Sequence, residues 1–139
     1  MLSRVGVSLD DVLLAQFDAL IEARGYQNRS EAIRDLIREE LVKEEWTAST
    51  DPSPKVAVAV LVYDHDSLDV GRKLTRAQHD KHDIIVSTTH VHIDAHNCLE
   101  VIIMRGPGDQ IKDLGNSLVS ARGVKLGRLS LATTGESLK

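Results

Sequence analysis

The sequence predicts an α+β chain in two parts. A strand and two helices (βαα) occupy residues 1–47, and a strand–helix–strand–strand–helix–strand (βαββαβ) unit occupies residues 55–139. Three observations carry this reading. Near the N-terminus the hydrophobic spacing changes from a period of two to one of 3.6. Residues 48–54, Ala-Ser-Thr-Asp-Pro-Ser-Pro, are small and polar with two prolines, the composition of a linker. Beyond them, β-branched runs alternate with helically spaced segments.

The elements follow in order. Arg4, Gly6 and Ser8 alternate with Val5, Val7 and Leu9, which makes a short strand with one apolar face. Ser8 or Asp10 is placed to cap the next helix, and Asp11 complements its dipole. Val12, Leu13, Phe17, Leu20 and Ile21 form its apolar stripe, and Gly25 ends it at a left-handed position. Asn28-Arg29-Ser30-Glu31 reads as a capping box. It opens a second helix that runs to about Glu45, with Ala32, Ile33, Leu36, Ile37 and Leu41 inward. So few elements bury too little apolar surface to stand alone, and a lone strand needs a neighbour. Two interlocked chains whose strands pair would supply both, so an obligate dimer is expected.

In the second part, Val56 to Tyr63 is a strand. Leu68 to about His82 is a helix through Leu68, Leu74 and Ala77. Ile84 to Ile93 and Cys98 to Met104 are strands flanking a turn. Asp109 to Ala121 is a helix carrying Ile111, Leu114, Leu118 and Val119, stopped near Gly123, and Val124 to Leu131 closes the sheet. This order is the ferredoxin-like arrangement.

The chemistry concentrates in residues 90–98. His90 and His92 are two apart in a β-branched run, so their rings share one strand face. The chain's single cysteine, Cys98, follows a turn-like stretch. Imidazole and thiolate together suit borderline and soft transition metals. Cys98 shares a face with His92 only if the turn has an odd number of residues, for example Asp94 to His96. Three nitrogens and one thiolate in a plane suit nickel(II) or copper(II), whereas a tetrahedral set suits zinc; the sequence leaves this choice open. Glu100, two residues past Cys98, is the carboxylate expected to orient a ligand, against the alternative of an ordinary strand-surface charge. His82, one helical turn from His79, reads as a solvated surface histidine and His96 as part of the turn; His65 receives no role.

Composition bounds the function classes. The chain has 139 residues, 42% of them hydrophobic, and four aromatics: Phe17, Tyr26, Trp46 and Tyr63. One cysteine cannot make an internal disulfide, which fits a reducing compartment. No signal pattern or membrane-length apolar run is present, so a soluble cytoplasmic protein is expected. The net charge is −4, and residues 1–46 hold six Lys/Arg against ten Asp/Glu. Charge alone therefore argues against nucleic acid, and any DNA contact must come from individually placed residues.

Arg4-Val-Gly-Val-Ser-Leu-Asp-Asp, together with Arg24-Gly25-Tyr26 and Asn28-Arg29-Ser30-Glu31-Ala32-Ile33-Arg34, resembles a ribbon-helix-helix DNA-binding domain. Joined to a ferredoxin-like, ACT-type domain bearing Gln78-His79, His90-Val-His92 and Cys98, the whole chain resembles the nickel-responsive transcriptional regulator family. The resemblance implies a Ni2+ site of His79, His90, His92 and Cys98, with His79 drawn from a different subunit than the other three. It implies a homotetramer, a dimer of dimers with central metal domains. It further implies repression of nickel uptake genes when metal is bound. A secondary cation site at Glu31 and Asp35 is implied as well.

On this resemblance the paired strands enter the major groove of a palindromic operator. Arg4 reads guanine and Ser8 bonds more promiscuously, while Gly6 offers no side chain where many relatives carry a polar one. Arg29, Ser30 and the amides opening the second helix would hold phosphates. The loop Asp64-His65-Asp66-Ser67-Leu68-Asp69 is acidic where the family carries basic residues that touch DNA. Competing readings are a ribbon-helix-helix regulator sensing zinc, copper or an amino acid, and a metal-storage protein or metalloenzyme. No general base stands beside the cluster, so an enzyme is not expected.

Overall fold

The computed structural model describes residues 1–47 and 52–138, so residues 48–51 of the expected linker lie outside the described residues. The chain divides into two compact units, Met1–Leu41 and Val42–Lys139.

The first unit contains helix α1 (Asp11–Arg24) and the start of helix α2 (Arg29–Thr47). Asp10 caps α1, its carboxylate accepting from Leu13 N at 2.8 Å. The helix closes at Gly25, whose φ of 76° is the left-handed conformation glycine adopts without steric cost. Tyr26 N donates back to the Ile21 carbonyl at 3.1 Å. Asn28 accepts from Glu31 N at 2.9 Å and so caps α2. The expected capping box is only half made, because the Glu31 carboxylate pairs with Arg34.

Two expectations change here. Residues 4–9 form no strand: residues 1–10 are irregular and exposed. A strand exists only against a hydrogen-bonding neighbour, and no described residue of this chain supplies one. The apolar stripes are likewise mostly open. Ile21 and Ala32 are buried, whereas Val12, Leu13, Leu20, Ile33, Leu36, Ile37 and Leu41 remain exposed. Two helices can bury only the residues that face each other.

The second unit contains β1 (Lys55–Asp64), α3 (Leu68–Asp80), β2 (Ile85–His92), β3 (Asn97–Gly106), α4 (Gly108–Val119) and β4 (Val124–Leu131). The sheet order is β2-β3-β1-β4, with every pairing antiparallel. Alternate β1 residues Ala57, Ala59, Leu61 and Tyr63 are buried, as are Cys98, Glu100, Ile102 and Met104 of β3. Ile111 and Leu118 of α4 complete this core. α4 lies close to β4 because Gly127 has no side chain; a Cβ there would collide with the Val119 carbonyl.

The inward stripe of α3 is Val70, Leu74 and Ala77. Leu68, expected inward, is 69% exposed, because it stands at the helix start, ahead of the turn that Val70 buries. The first domain was expected to run to residue 47, yet the last turn of α2 belongs to the second unit. Trp46 is buried there, with Nε1 donating to the Ala132 carbonyl at 2.8 Å, and Lys112 Nζ donates to the Trp46 carbonyl at 2.9 Å.

Candidate metal centre

Three neighbouring strands build this centre through their register. Tyr63 of β1 stands opposite Cys98 of β3, and Cys98 stands opposite His92 of β2. Two residues along, Leu61, Glu100 and His90 form the next row on the same face. Side chains of directly opposed residues project to the same face, so His90, His92, Cys98 and Glu100 meet there. The turn between β2 and β3 satisfies the odd-number condition: Ile93 N donates to the Asn97 carbonyl at 2.9 Å, leaving Asp94, Ala95 and His96 as the tip.

Asp94 shapes that tip. Its carboxylate accepts from His96 N and Asn97 N, each at 2.8 Å, and from the Asn97 side chain. Those bonds, the Asn97 side chain foremost, hold the Asp94 carboxyl down at about 2.

Cys98 is fully buried, and its Sγ lies 3.6 Å from His92 Nδ1. The rings of His90 and His92 are 4.9 Å apart. His65 adds a third imidazole: its Nδ1 lies 3.2 Å from Cys98 Sγ, and its ring meets that of His92 edge-on at 4.9 Å. One donor atom from each of His65, His90, His92 and Cys98 lies within 4.8 Å of all the others. These residues fit a transition metal, since the set mixes borderline nitrogen with soft sulfur. Burial pushes the Cys98 thiol up, and Glu100, Asp64, Asp94 and Asp66 reinforce it by charge. The ligand is the thiolate, so binding an ion expels a proton from this sulfur.

Behind the imidazoles lies a buried polar row. Tyr63 OH donates to Glu100 Oε2 at 3.4 Å, and the same oxygen is 3.7 Å from His90 Nδ1. Burial raises the Glu100 carboxyl, against the pull of His90 and Tyr63. Burial, then the Glu100 charge, pushes the Tyr63 hydroxyl up to about 12.

The chain's own His79 stays apart from this cluster. It lies eleven residues along α3 from Leu68, about 16 Å at the helical rise. Its neighbour Gln78 bonds the Thr88 hydroxyl at 3.4 Å, four residues up β2 from His92. His82 is exposed beside the His79 carbonyl, and His96 is exposed in the turn. His65, to which the sequence assigned no role, is the residue that reasoning missed. One signal was present: residue 65 continues the odd parity of the buried β1 positions.

In the N-terminal unit, Arg4, Gly6 and Ser8 lie in the exposed irregular segment. Arg29 closes its guanidinium on Asp18 with bonds of 2.9 and 2.8 Å, and that bonding holds the Asp18 carboxyl below its usual range. Ser30 is exposed in the first turn of α2. Glu31 faces Arg34, while Asp35 accepts from Tyr26 OH at 2.7 Å and from Arg38 at 3.3 Å.

Comparison with known proteins agrees with both halves. Residues 3–44 match the family described as ribbon-helix-helix protein, copG family, and residues 56–132 match the NikR C terminal nickel binding domain. A protein of Anaeromyxobacter dehalogenans (strain 2CP-C), provisionally named a nickel-responsive regulator, is 53% identical over 139 residues, covering 100% of both chains. Similarly named proteins of Nitratidesulfovibrio vulgaris (strain DP4) and Geobacter sulfurreducens are 53% and 50% identical. Each covers 97% of this chain and 96% of its own length. A solved structure of an uncharacterized Thermotoga maritima protein shares the fold at a TM-score of 0.51 and 13% identity, covering 58% of this chain and 100% of its own. With both parts matched and half the residues shared end to end, the chain belongs to the nickel-responsive transcriptional regulators, a ribbon-helix-helix family of regulators and not of enzymes.

Proposed function

We propose that this protein is a nickel-dependent DNA-binding repressor of nickel uptake genes. The observation that supports it most is the register of β2 and β3, which sets His92 opposite Cys98 and His90 one row away on the same face. His90, His92 and Cys98 are assigned as three ligands of Ni2+, with His79 of a second subunit completing the site. Glu100 faces His90 Nδ1 and leaves the other ring nitrogen to the ion. When bound, nickel supplies a cross-link between subunits.

The first unit is assigned to DNA. Exposed Val5, Val7, Leu13 and Ile37 are the surface a second chain would bury, pairing residues 4–9 as a two-stranded ribbon. Arg4 and Ser8 on its outer side then face base edges in the major groove, and Gly6 lets the backbone approach. Arg29 would exchange Asp18 for a DNA phosphate, beside Ser30. A cation at Glu31 and Asp35 would have to displace Arg34, Tyr26 and Arg38. The assembly is a homotetramer working in the cytoplasm; no helix among the described residues is long and apolar enough to cross a membrane.

Metal acts through its different affinity for the DNA-competent and incompetent arrangements, so nickel and DNA must each tighten the other equally. A gel shift on a palindromic operator tests this. Native protein should bind only with stoichiometric nickel, and His92→Ala should lose the response. Equal binding with and without nickel removes the switch. Zinc(II) and copper(II) in parallel lanes test the metal assignment, because the donor set also accepts them.

A further inference from the structure

The reading above, on which this inference rests, takes the fourth ligand from a second subunit. The described residues nevertheless bring four donors together within one chain. We infer that His65 is an intrachain fourth ligand, giving each chain a capture site for a divalent transition metal that needs no second subunit.

Placement supports this role. His65 Nδ1 is nearer to Cys98 Sγ, at 3.2 Å, than His92 Nδ1 is, at 3.6 Å. The residue is not on a loose loop. Its own N–H donates to the His96 carbonyl at 2.6 Å, tying the end of β1 to the tip of the β2–β3 turn. The next turn is closed by Ser67 N on the Asp64 carbonyl and by Asp66 N on the Asp64 side chain, both at 2.9 Å. Backbone bonds on both sides therefore aim the ring at the thiol. His65 is exposed whereas Cys98 is buried, so an arriving ion meets the imidazole first and the sulfur behind it.

The same chain's His79 cannot take this position. Four strand residues, about 13 Å, separate Thr88 at its end of α3 from His92. A three-residue core of His90, His92 and Cys98 therefore has two candidate fourth ligands, His65 of its own chain and His79 of a second subunit. They compete for one coordination position. Own-chain closure holds the ion without linking subunits; exchange to the second subunit's His79 makes the link.

Full-length variants titrated with Ni2+ alone test the assignment, read by the thiolate-to-nickel absorption band and by competition with a chelator. His79→Ala should still bind one ion per chain with that band. His79→Ala/His65→Ala should bind at least about 10–100-fold more weakly, the loss typical of removing even a supporting group at a metal site. His79→Ala/His65→Gln, which keeps a polar side chain in the turn, should match the double alanine variant and so excludes a folding defect. Equal affinity of His79→Ala with and without His65 overturns the inference. So does a His79→Ala protein that binds no nickel while native protein does, an outcome that leaves the nickel-site reading intact. Native-like nickel binding by Cys98→Ala would overturn both.

Discussion

Glu100 holds two opposed roles in one side chain. It is 6% exposed, faces Tyr63 OH and His90 Nδ1, and burial raises its carboxyl. A raised carboxyl is most favourable to the fold when protonated, and that contribution is lost as pH rises through its folded-state value. An ionised Glu100 therefore weakens the metal-free protein. Glu100→Gln should raise the Tm of metal-free protein at pH 7. It should also lower nickel affinity by about 10–100-fold, because His90 loses the group that orients it. Calorimetry and a chelator competition check the two arms; a variant that loses both stability and affinity would show the carboxylate to be structural. Residue type and strand parity singled out His90, His92 and Cys98 as candidates, with Glu100 weighed against an ordinary strand-surface charge. His65 escaped because it stands just past the end of β1, and its parity with the buried strand positions points to the thiol only once the β1–β3 register is known.

At the scale of elements, turns and caps were the most legible features. Asp10, Gly25 and Asn28 act where the sequence placed them, because helix ends must satisfy their own backbone groups locally. The β2–β3 turn is equally local. Asp94 is depressed to about 2 by its bonds to Asn97 and His96, so the stability it contributes is present above its ordinary value of 3.8 and lost as pH falls through 2. The turn should therefore keep its amide shifts in metal-free protein down to about pH 3. Asp94→Ala should loosen it at every pH above about 3 and weaken nickel binding while leaving the helices folded. Amide shifts of His96 and Asn97 that move with a midpoint near 4 would contradict this. The strand at residues 4–9 was legible as a pattern but not as a structure, since alternation marks which face is apolar and says nothing about what pairs with it.

For the whole molecule, the decisive surface is the apolar one left open in the first unit. Val7 is 68% exposed and Leu13 49%. A charge at an exposed position of a true monomer changes stability by within about 0.5 kcal/mol. Val7→Asp should instead unpair the ribbon and unfold the first unit, read as lost helical circular dichroism, and abolish operator binding while nickel still binds the second unit. Unchanged helical content would place the dimer contact elsewhere.

The sequence by itself determined the order of the elements from residue 11 onward, the helix caps, the shared face of His90 and His92, and the family, because these depend on period, parity, local hydrogen bonding and motif. Tertiary structure decided the rest. It decided that Cys98 falls opposite His92, that Tyr63 and Glu100 form one buried polar row, and that His65 turns onto the thiol while His79 of the same chain stays away. It also placed Trp46 in the core of the second unit. Each of these depends on which residues of distant segments end up opposite one another. That register is set by the packing of a whole sheet and its helices, and no single segment encodes it.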